Sequence, residues 1–311
     1  MGIADRPARA ARGGHGVLVS SCLGVLVLAL GGAALAADEA PVVRFGVITR
    51  YHPRLIYQTH QPVMDYLSRT LRARFELKLG RSFEDTNRDL EQGTTQFALL
   101  SIMSYLEARV RFGAVPLVKP RGEGGQGVTR GVVVTRTDSG ITTLGALKGR
   151  TFAFAPAKST AGNLLPRYLL FAAGVRLTDL ERYANLANYD NVVLGVLRGQ
   201  YDAGAIPELV AERYRERGLR VLAVSDPAPS EPIVTRADLP AALARSVREA
   251  LLALDPGDPR DREILKGWDD EFRRGFVTAD DRDYDGIRRM LDAIPQGCGV
   301  RCHYPPRGSA R

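Results

Sequence analysis

Four times along this chain, a short apolar segment runs into a polar loop and then into a helix-forming segment. The loops cover residues 49–52, 101–104, 159–162 and 189–191. Strands that alternate with helices in this way are typical of α/β proteins with largely parallel sheets. In open α/β sheets, ligands bind beyond the carboxyl ends of the strands. The pattern therefore predicts two α/β lobes and a ligand cleft on which the four loops converge.

The third loop, 159–162, reads Ser-Thr-Ala-Gly between an apolar strand at 151–155 and an apolar helix at 163–173. The first N–H groups of a helix lack intrahelical partners, and the helix dipole places partial positive charge there. Those N–H groups and the hydroxyls of Ser159 and Thr160 can together bind an oxyanion. Plain helix capping is the alternative that the turn alone leaves open.

The composition is that of a globular protein with an excess of positive charge. The chain has 311 residues, 45% of them hydrophobic, and a formal net charge of +8, and this length allows two domains. Arginines spread over helix-like segments such as 211–220 supply most of the charge. No dense basic run is interleaved with aromatic residues, so we expect no nucleic-acid partner. A basic balance suits a small anionic ligand.

The N-terminus has the pattern of a secretory signal. Three arginines at positions 6, 9 and 12 precede an apolar run at 17–35, and Ala-Leu-Ala at 34–36 has the form of a cleavage site. We expect residues 1–36 to be a cleaved signal peptide and the mature protein to be periplasmic. An uncleaved membrane anchor is the alternative, because the run is just long enough to span a bilayer. A lipoprotein signal at Cys22 is disfavoured, since the apolar run continues well beyond it.

The sequence offers no catalytic constellation. Its four histidines are His15, His52, His60 and His303, and neither His-Glu-x-x-His nor Gly-x-Ser-x-Gly occurs. A serine nucleophile activated by lysine would need the lysine three residues after the serine, one helical turn away, but Lys158 directly precedes Ser159. We therefore expect a binding protein and not an enzyme, with no metal site.

The C-terminal segment 293–311 contains Cys298, Cys302 and His303 in the order Cys-x-x-x-Cys-His. An exported protein can form a disulfide between the two cysteines. Attachment of a c-type haem, with His303 as axial ligand, is the alternative, although the usual motif is one residue shorter. We expect no cofactor and retain haem, and after it metal binding or free thiols, as less favoured possibilities.

The chain from 42 to 292 resembles the substrate-binding proteins of phosphate, phosphite and phosphonate ABC importers, a branch of the type 2 periplasmic binding proteins. Five segments carry the resemblance, and their order and spacing are more specific than any one of them. They cover residues 45–47, 98–108, 159–166, 189–205 and 226–234.

The resemblance implies two lobes, each a mixed sheet flanked by helices, joined by two crossings and closing on a ligand. Lobe one would comprise 41–136 with 226–292, and lobe two 137–225. In the family the turn at 159–162 reads Ser-Thr-Ser-Gly and binds phosphoryl oxygens, whereas this chain has Ala161. Many members have His where this chain has Tyr189, and an aromatic with Gly-Pro or Gly-Asn where it has 100–102.

These features predict a periplasmic solute-binding protein that captures a small oxyanion, such as a phosphonate, phosphite or phosphate, for an ABC permease. The alternative is a sensing or redox accessory protein that partners a membrane histidine kinase or a respiratory enzyme. We expect a monomer. Asp190 is expected to cap a helix, to contact a ligand amine, or both. The predicted ligand-binding residues are Thr49, Tyr51, Ser101, Ser159, Thr160, Ala161, Tyr189 and Asp190.

Overall fold

Two separate β-sheets organise residues 41–298, the part of the chain that this computed structural model describes. The first sheet has six strands in the order β13-β4-β12-β3-β1-β2, and the second has five in the order β10-β6-β9-β7-β8. The strands are β1 (Val42–Val47), β2 (Arg74–Leu79), β3 (Phe97–Leu99), β4 (Val115–Pro120), β5 (Val128–Thr129), β6 (Gly131–Arg136), β7 (Thr151–Phe154), β8 (Arg182–Asn185), β9 (Ala203–Pro207), β10 (Leu219–Val224), β11 (Ala228–Pro229), β12 (Ile233–Thr235) and β13 (Phe276–Thr278).

Both sheets are mixed. In the first, β1 pairs in parallel with β2 and β3, while β12 and β13 run antiparallel to β4. In the second, β7 pairs in parallel with β8 and β9, while β6 runs antiparallel to β9 and β10. The prediction of largely parallel sheets therefore holds for only part of each sheet, and the mixed sheets expected from the family resemblance are found.

Two crossings connect the lobes. The chain leaves the first sheet after β4 and returns to it after β10, and the short strands β5 and β11 pair antiparallel within these crossings. The strand at 131–136, which the sequence assigned to lobe one, belongs instead to the second sheet through β9 and β10. Strand β13 was not predicted from the sequence, because its three residues are too few for a clear alternating pattern.

The helices flank both sheets, and local sequence explains where they begin. The longest helix starts at Pro53, which is favourable at a first helical position, and the ring of His52 accepts the N–H of Arg54. It buries Ile56, Val63 and Leu67 along one face. The helices are α1 (Pro53–Leu71), α2 (Phe83–Glu91), α3 (Ile102–Phe112), α4 (Leu165–Ala172), α5 (Tyr189–Leu197), α6 (Glu208–Tyr214), α7 (Ala241–Leu252), α8 (Pro259–Leu265) and α9 (Asp285–Cys298).

The apolar core is continuous across the junction between the lobes. Ile102 and Met103, at the start of α3 in the first lobe, pack in one buried cluster with Leu164 and Leu165 of the second. Helices α4 and α9 also contact each other. The two lobes are therefore in direct contact where the loops at 101–104 and 159–162 meet.

Among the helices within residues 41–298, none is both long and apolar enough to cross a membrane. The predicted signal peptide at 1–36 lies outside the described residues, as do Cys302 and His303. Helix α9 ends at Cys298, so the predicted C-terminal segment begins inside this helix.

Candidate functional site

The turn at 159–162 begins a buried helix of the second lobe. Ser159 is its N-cap, and the Ser159 hydroxyl accepts the N–H of Gly162 at 3.0 Å. The first turn, Thr160–Leu164, has π geometry before α4 continues, and single π turns are frequent at functional sites. A Cβ at Gly162 would lie 2.4 Å from that of Ala155, so this position requires glycine. Tight packing therefore explains why the turn consists of small residues.

The N-terminus of α3 in the first lobe faces this turn. Ser101 caps α3 by accepting the N–H of Ser104 at 3.1 Å, and its hydroxyl donates to the carbonyl of Lys158 at 2.7 Å. The N–H of Met103 donates to Oγ1 of Thr160 at 3.4 Å. The second and third predicted loops, one from each lobe, are thus joined directly by hydrogen bonds.

Two tyrosines join the other two loops. The rings of Tyr51 and Tyr189 meet edge to face with centroids 5.4 Å apart, and both side chains are buried. The N–H of Tyr189 donates to the carbonyl of Arg50 at 3.1 Å, and its hydroxyl lies 3.1 Å from Oγ of Ser159. Burial raises the pKa of Tyr189 well above its usual value, so the hydroxyl keeps its proton at neutral pH.

Asp190 bridges the lobes and is not the helix cap that the sequence suggested. Its carboxylate accepts the N–H of His52 at 3.4 Å and the hydroxyl of Tyr214 at 3.3 Å. The cap of α5 is Asn188, whose side chain accepts the N–H of Asn191 at 2.9 Å. Aspartate and asparagine both favour cap positions, and Asp190 and Asn188 are only two residues apart. Sequence alone therefore does not show which of them caps the helix.

A cavity of about 10 Å³ lies between the lobes, beside the turn. This volume holds about one water molecule. Three of the eight predicted ligand-binding residues line it, namely Thr160, Ala161 and Tyr189. The other five, Thr49, Tyr51, Ser101, Ser159 and Asp190, lie outside the lining. The remaining lining residues are Thr129, Pro207, Glu231 and Glu271.

A larger depression of about 60 Å³ shares Thr129 and Glu271 with this cavity. It lies at the crossings, and Arg121, Arg130 and Arg274 contribute to its wall. Glu208 and Glu212 also line it, so acidic and basic side chains both contribute to this depression.

Sequence reasoning missed the charged cluster at this site. The guanidinium of Arg50 is fully buried and bonds three carboxylates. Its Nη1 lies 2.7 Å from Oε2 of both Glu231 and Glu271, and its Nη2 lies 3.2 Å from Oδ1 of Asp269. These partners are 181, 221 and 219 residues away along the chain. The one available signal was an acidic residue, Glu231, inside the proline-rich crossing.

The cluster contains three carboxyl groups and one guanidinium group, and this imbalance helps to raise the pKa of Glu231. Burial raises the pKa of Glu231 to about 8; Glu271 and Asp269 add to the shift, and Arg50 opposes it. Burial acts to raise the pKa of Asp269 as well, but Arg50, His60, the N–H of Glu271 and Arg213 together outweigh it, and the pKa lies below its usual range. Glu231 therefore carries a proton at neutral pH.

Several buried polar atoms around this cluster have no hydrogen-bond partner among the described residues. They are Nε of Arg50, the hydroxyl of Tyr51, Nε2 of His60 and Nε of Arg213. The guanidinium groups of Arg50 and Arg213 lie 5.4 and 5.3 Å from the centre of the Tyr51 ring. Buried donors of this kind commonly bind ordered water or a ligand.

A protein-family model for the periplasmic substrate-binding protein of phosphonate ABC transporters matches residues 45–284. The chain belongs to this family. The resemblance proposed from the sequence is thereby confirmed, and the function of the family is substrate binding for transport and not catalysis. Nothing in the comparisons supports the alternative role as a sensing or redox accessory protein.

Solved structures confirm the two-lobe fold of type 2 periplasmic binding proteins. A binding protein of an ABC phosphonate transporter from Pseudomonas aeruginosa aligns with a TM-score of 0.72 at 19% identity, over 81% of this chain and 86% of that one. A Prochlorococcus marinus protein in complex with methylphosphonate gives 0.73 at 18% identity, over 82% and 98%. The alkanesulfonate-binding protein of Xanthomonas axonopodis pv. citri, bound to MOPS, gives 0.58 at 15% identity, over 84% and 94%.

The family match leaves the individual site residues untested. Within residues 41–292, no group of three or more His, Cys, Asp or Glu side chains is arranged to hold a metal ion. The expectations of no cofactor and no metal site remain predictions, as does the pairing of the C-terminal cysteines.

Proposed function

We propose that this protein captures a small phosphonate-type oxyanion between its lobes, in the periplasm, and delivers it to the permease of an ABC importer. One observation carries the proposal: Thr160, Ala161 and Tyr189 line a cavity between the lobes at the N-terminus of a buried helix. Family membership supports transport, and the helix N-terminus supports an anion as ligand.

The lining residues supply donors for phosphoryl oxygens. Thr160 accepts the N–H of Met103, so its own hydroxyl proton is available to a ligand. Tyr189 keeps its proton and can donate in the same direction. Ala161 lacks the hydroxyl of a serine but retains its backbone N–H in the first turn of the helix. Each charge-assisted hydrogen bond contributes about 1.5–3 kcal/mol.

The other predicted residues have supporting roles in this proposal. Ser159 holds the turn through Gly162 and orients the hydroxyl of Tyr189. Ser101 and Asp190 fasten one lobe to the other. Tyr51 packs against Tyr189. Thr49 lies half-buried in the loop after β1, next to Arg50 of the charged cluster.

Ligand entry requires the lobes to separate. A phosphonate is larger than the one water molecule that the cavity holds, and hydrogen bonds between the lobes close the space around it. The two crossings are the places where backbone rotation can open the cleft, as in other hinged binding proteins. We propose that the permease recognises the arrangement in which the lobes have closed around the ligand, slightly further apart than in this structure.

In this proposal, the N-terminal segment directs the export of the chain. Residues 1–36 act as a signal peptide and are removed, so that the mature protein meets its ligand and the permease in the periplasm. The protein acts as a monomer and needs no cofactor, because binding of an oxyanion uses only hydroxyl and N–H donors.

A thermal-shift screen followed by calorimetry tests the proposed function. Mature protein is screened against methylphosphonate, aminoalkylphosphonates, phosphite, phosphate, sulfate and thiosulfate. A ligand at 100 times its Kd stabilises the folded state by about 2.7 kcal/mol, which gives a clear rise in Tm. We expect at least one phosphonate or phosphite to do so. If only sulfur oxyanions raise Tm, or no anion does, the proposal is wrong.

A further inference from the structure

Arg213 of the second lobe reaches across the junction onto the first lobe. It lies in the last turn of α6, and its Nη2 pairs with Oδ2 of Asp270, in the segment before β13. Its guanidinium also lies over the ring of Tyr51, 5.3 Å from the ring centre, in the loop after β1. One side chain therefore makes both an ion pair and a cation–π contact between the lobes.

The first lobe holds Asp270 in place without help from Arg213. Trp268 and Phe272, on either side of Asp270, are buried, and their rings pack on a phenylalanine of β13 at centroid distances of 6.4 and 5.0 Å. Asp270 also pairs with Arg273 of its own segment. Because this carboxylate keeps a cationic partner, loss of Arg213 removes a contact between the lobes and leaves the first lobe intact.

The ring of Tyr51 connects Arg213 to the wall of the interlobe cavity. The side chain of Tyr51 is 1% exposed, and its ring meets that of Tyr189 edge to face at 5.4 Å. Tyr189 lines the cavity beside Thr160, whereas Arg213 lies outside the lining. Because a closely packed interior leaves buried rings little room to move, a group that fixes Tyr51 also fixes Tyr189.

The contact with Tyr51 is the larger part of what Arg213 adds to the closed form. The side chains of Arg213 and Asp270 are 30% and 22% exposed, so their ion pair remains in partial contact with water. Solvated ion pairs contribute little to stability, whereas a cation placed over a buried aromatic face contributes more. The ring therefore matters more than the carboxylate.

We infer that Arg213 is a positioning residue for ligand binding. When the lobes close, its guanidinium comes onto the ring of Tyr51, and that ring holds Tyr189 against the oxygens of the ligand. This inference rests on the proposed function of the site, in which Tyr189 donates a hydrogen bond to the ligand. A residue outside the cavity thus determines how tightly the ligand is held.

Calorimetric titration of methylphosphonate into Arg213→Met and Arg213→Lys tests this inference. Phosphite replaces methylphosphonate if the wild-type protein binds only phosphite. We expect Arg213→Met to raise the Kd at least about 5-fold, because the cation over the ring is lost. Arg213→Lys should recover most of that loss. Methionine and lysine have similar unbranched stems, so recovery by lysine identifies the charge as the cause, and equally weak binding by both variants would overturn the inference.

The control is Arg182→Met. The guanidinium of Arg182 lies 5.0 Å from the centre of the Tyr201 ring, and both residues belong to the second lobe. The control therefore loses the same kind of contact within one lobe, and its Kd should stay within about 2-fold of the wild type. If Arg213→Met binds like the wild type, or if Arg182→Met weakens binding as much, the inference is wrong while the proposed function stands. If the wild type binds neither methylphosphonate nor phosphite, both are wrong.

A double-mutant cycle with Tyr51→Leu tests whether the effect passes through Tyr51. In the Tyr51→Leu background, Arg213→Met should change the Kd by less than about 2-fold, because no ring is left for the cation to hold. An effect as large as in the wild-type background would overturn the inference. Asp270→Asn replaces this test if Tyr51→Leu does not fold. It weakens the ion pair but leaves the guanidinium over the ring, so it should raise the Kd less than Arg213→Met does; an equal or larger rise would overturn the inference.

Discussion

The hydroxyl of Ser101 donates to the carbonyl of Lys158 at 2.7 Å, across the junction between the two lobes. The same hydroxyl caps α3 by accepting the N–H of Ser104. One side chain thus fixes the start of a helix in the first lobe and holds the turn that precedes Ser159 in the second. This one side chain therefore stabilises both the contact between the lobes and the turn of the candidate anion site.

Ser101→Ala should weaken both stability and ligand binding. Loss of an N-cap costs about 1 kcal/mol, and loss of the interlobe hydrogen bond makes the closed form less favourable. Ser82→Ala is the matched control, because Ser82 caps α2 through Asp85 and lies away from the second lobe. We expect both variants to lower the free energy of unfolding, and only Ser101→Ala to raise the Kd for methylphosphonate. Equal Kd values for the two variants would contradict the interlobe role.

Gly162→Ala should destabilise the fold strongly. The added Cβ would lie 2.4 Å from Cβ of Ala155 and 3.0 Å from the ring of Tyr189, in a fully packed site. Overpacking of this kind costs about 1–3 kcal/mol in denaturant unfolding. Gly145→Ala, where the nearest atom outside its neighbours is 3.9 Å away, is the control and should change the free energy of unfolding by less than about 1 kcal/mol. Equal effects would show that the turn is looser than described.

Glu231 should make stability fall as pH rises. Its pKa is about 8 in the folded protein and near the usual 4.5 in the unfolded chain, so the folded state binds the extra proton between these values. The groups that act on it are Arg50, Glu271, Asp269, Tyr189 and Tyr284.

The measurement is the difference in free energy of unfolding between wild type and Glu231→Gln from pH 5 to pH 8. Because glutamine does not titrate, the wild type should lose stability relative to the variant as pH rises, by at most about 1.4 kcal/mol per pH unit. A flat or rising difference would show that Glu231 is ionised throughout.

His60 should make the stability of the protein rise with pH, which is opposite to the effect of Glu231. Burial lowers its pKa to about 4, and its ring packs edge to face on Phe272 with centroids 5.3 Å apart. The unfolded chain therefore binds the extra proton between pH 4 and about 6.5, and stability rises with pH across that window. His60→Gln should remove this rise. An unchanged slope between pH 4 and 6.5 in the variant would exclude His60 as its source.

Local patterns in the sequence were enough to find the parts of the site that cap helices. Ser101 and Ser159 lie where an apolar strand meets a helix, and N-cap chemistry depends on neighbours a few residues away. Tyr189 was found because it is the first residue of the fourth polar loop. These three residues, with Thr160, meet at the junction of the lobes because parallel strands bring their carboxyl ends to one edge of each sheet.

The charged cluster could not be read from the sequence, since its members come from three distant segments. Arg50 lies in the first polar loop, and no site was predicted around Asp269 or Glu271. Only the tertiary fold brings these acids to one guanidinium. The placement of β6 was wrong for a related reason: a strand pattern shows that residues 131–136 pair, but not which sheet they join.

The most direct test of the account is calorimetric titration of methylphosphonate into the Thr160→Val and Thr160→Ser variants. Valine keeps the shape of threonine without its hydroxyl, and serine keeps the hydroxyl without the methyl group. Thr178→Val, at an exposed position in the second lobe, is the control. If the turn binds the phosphoryl oxygens, Thr160→Val should raise the Kd at least about 10-fold, and Thr160→Ser should stay within a few-fold of the wild type. If Thr160→Val binds as tightly as the wild type, the ligand is not held by this turn.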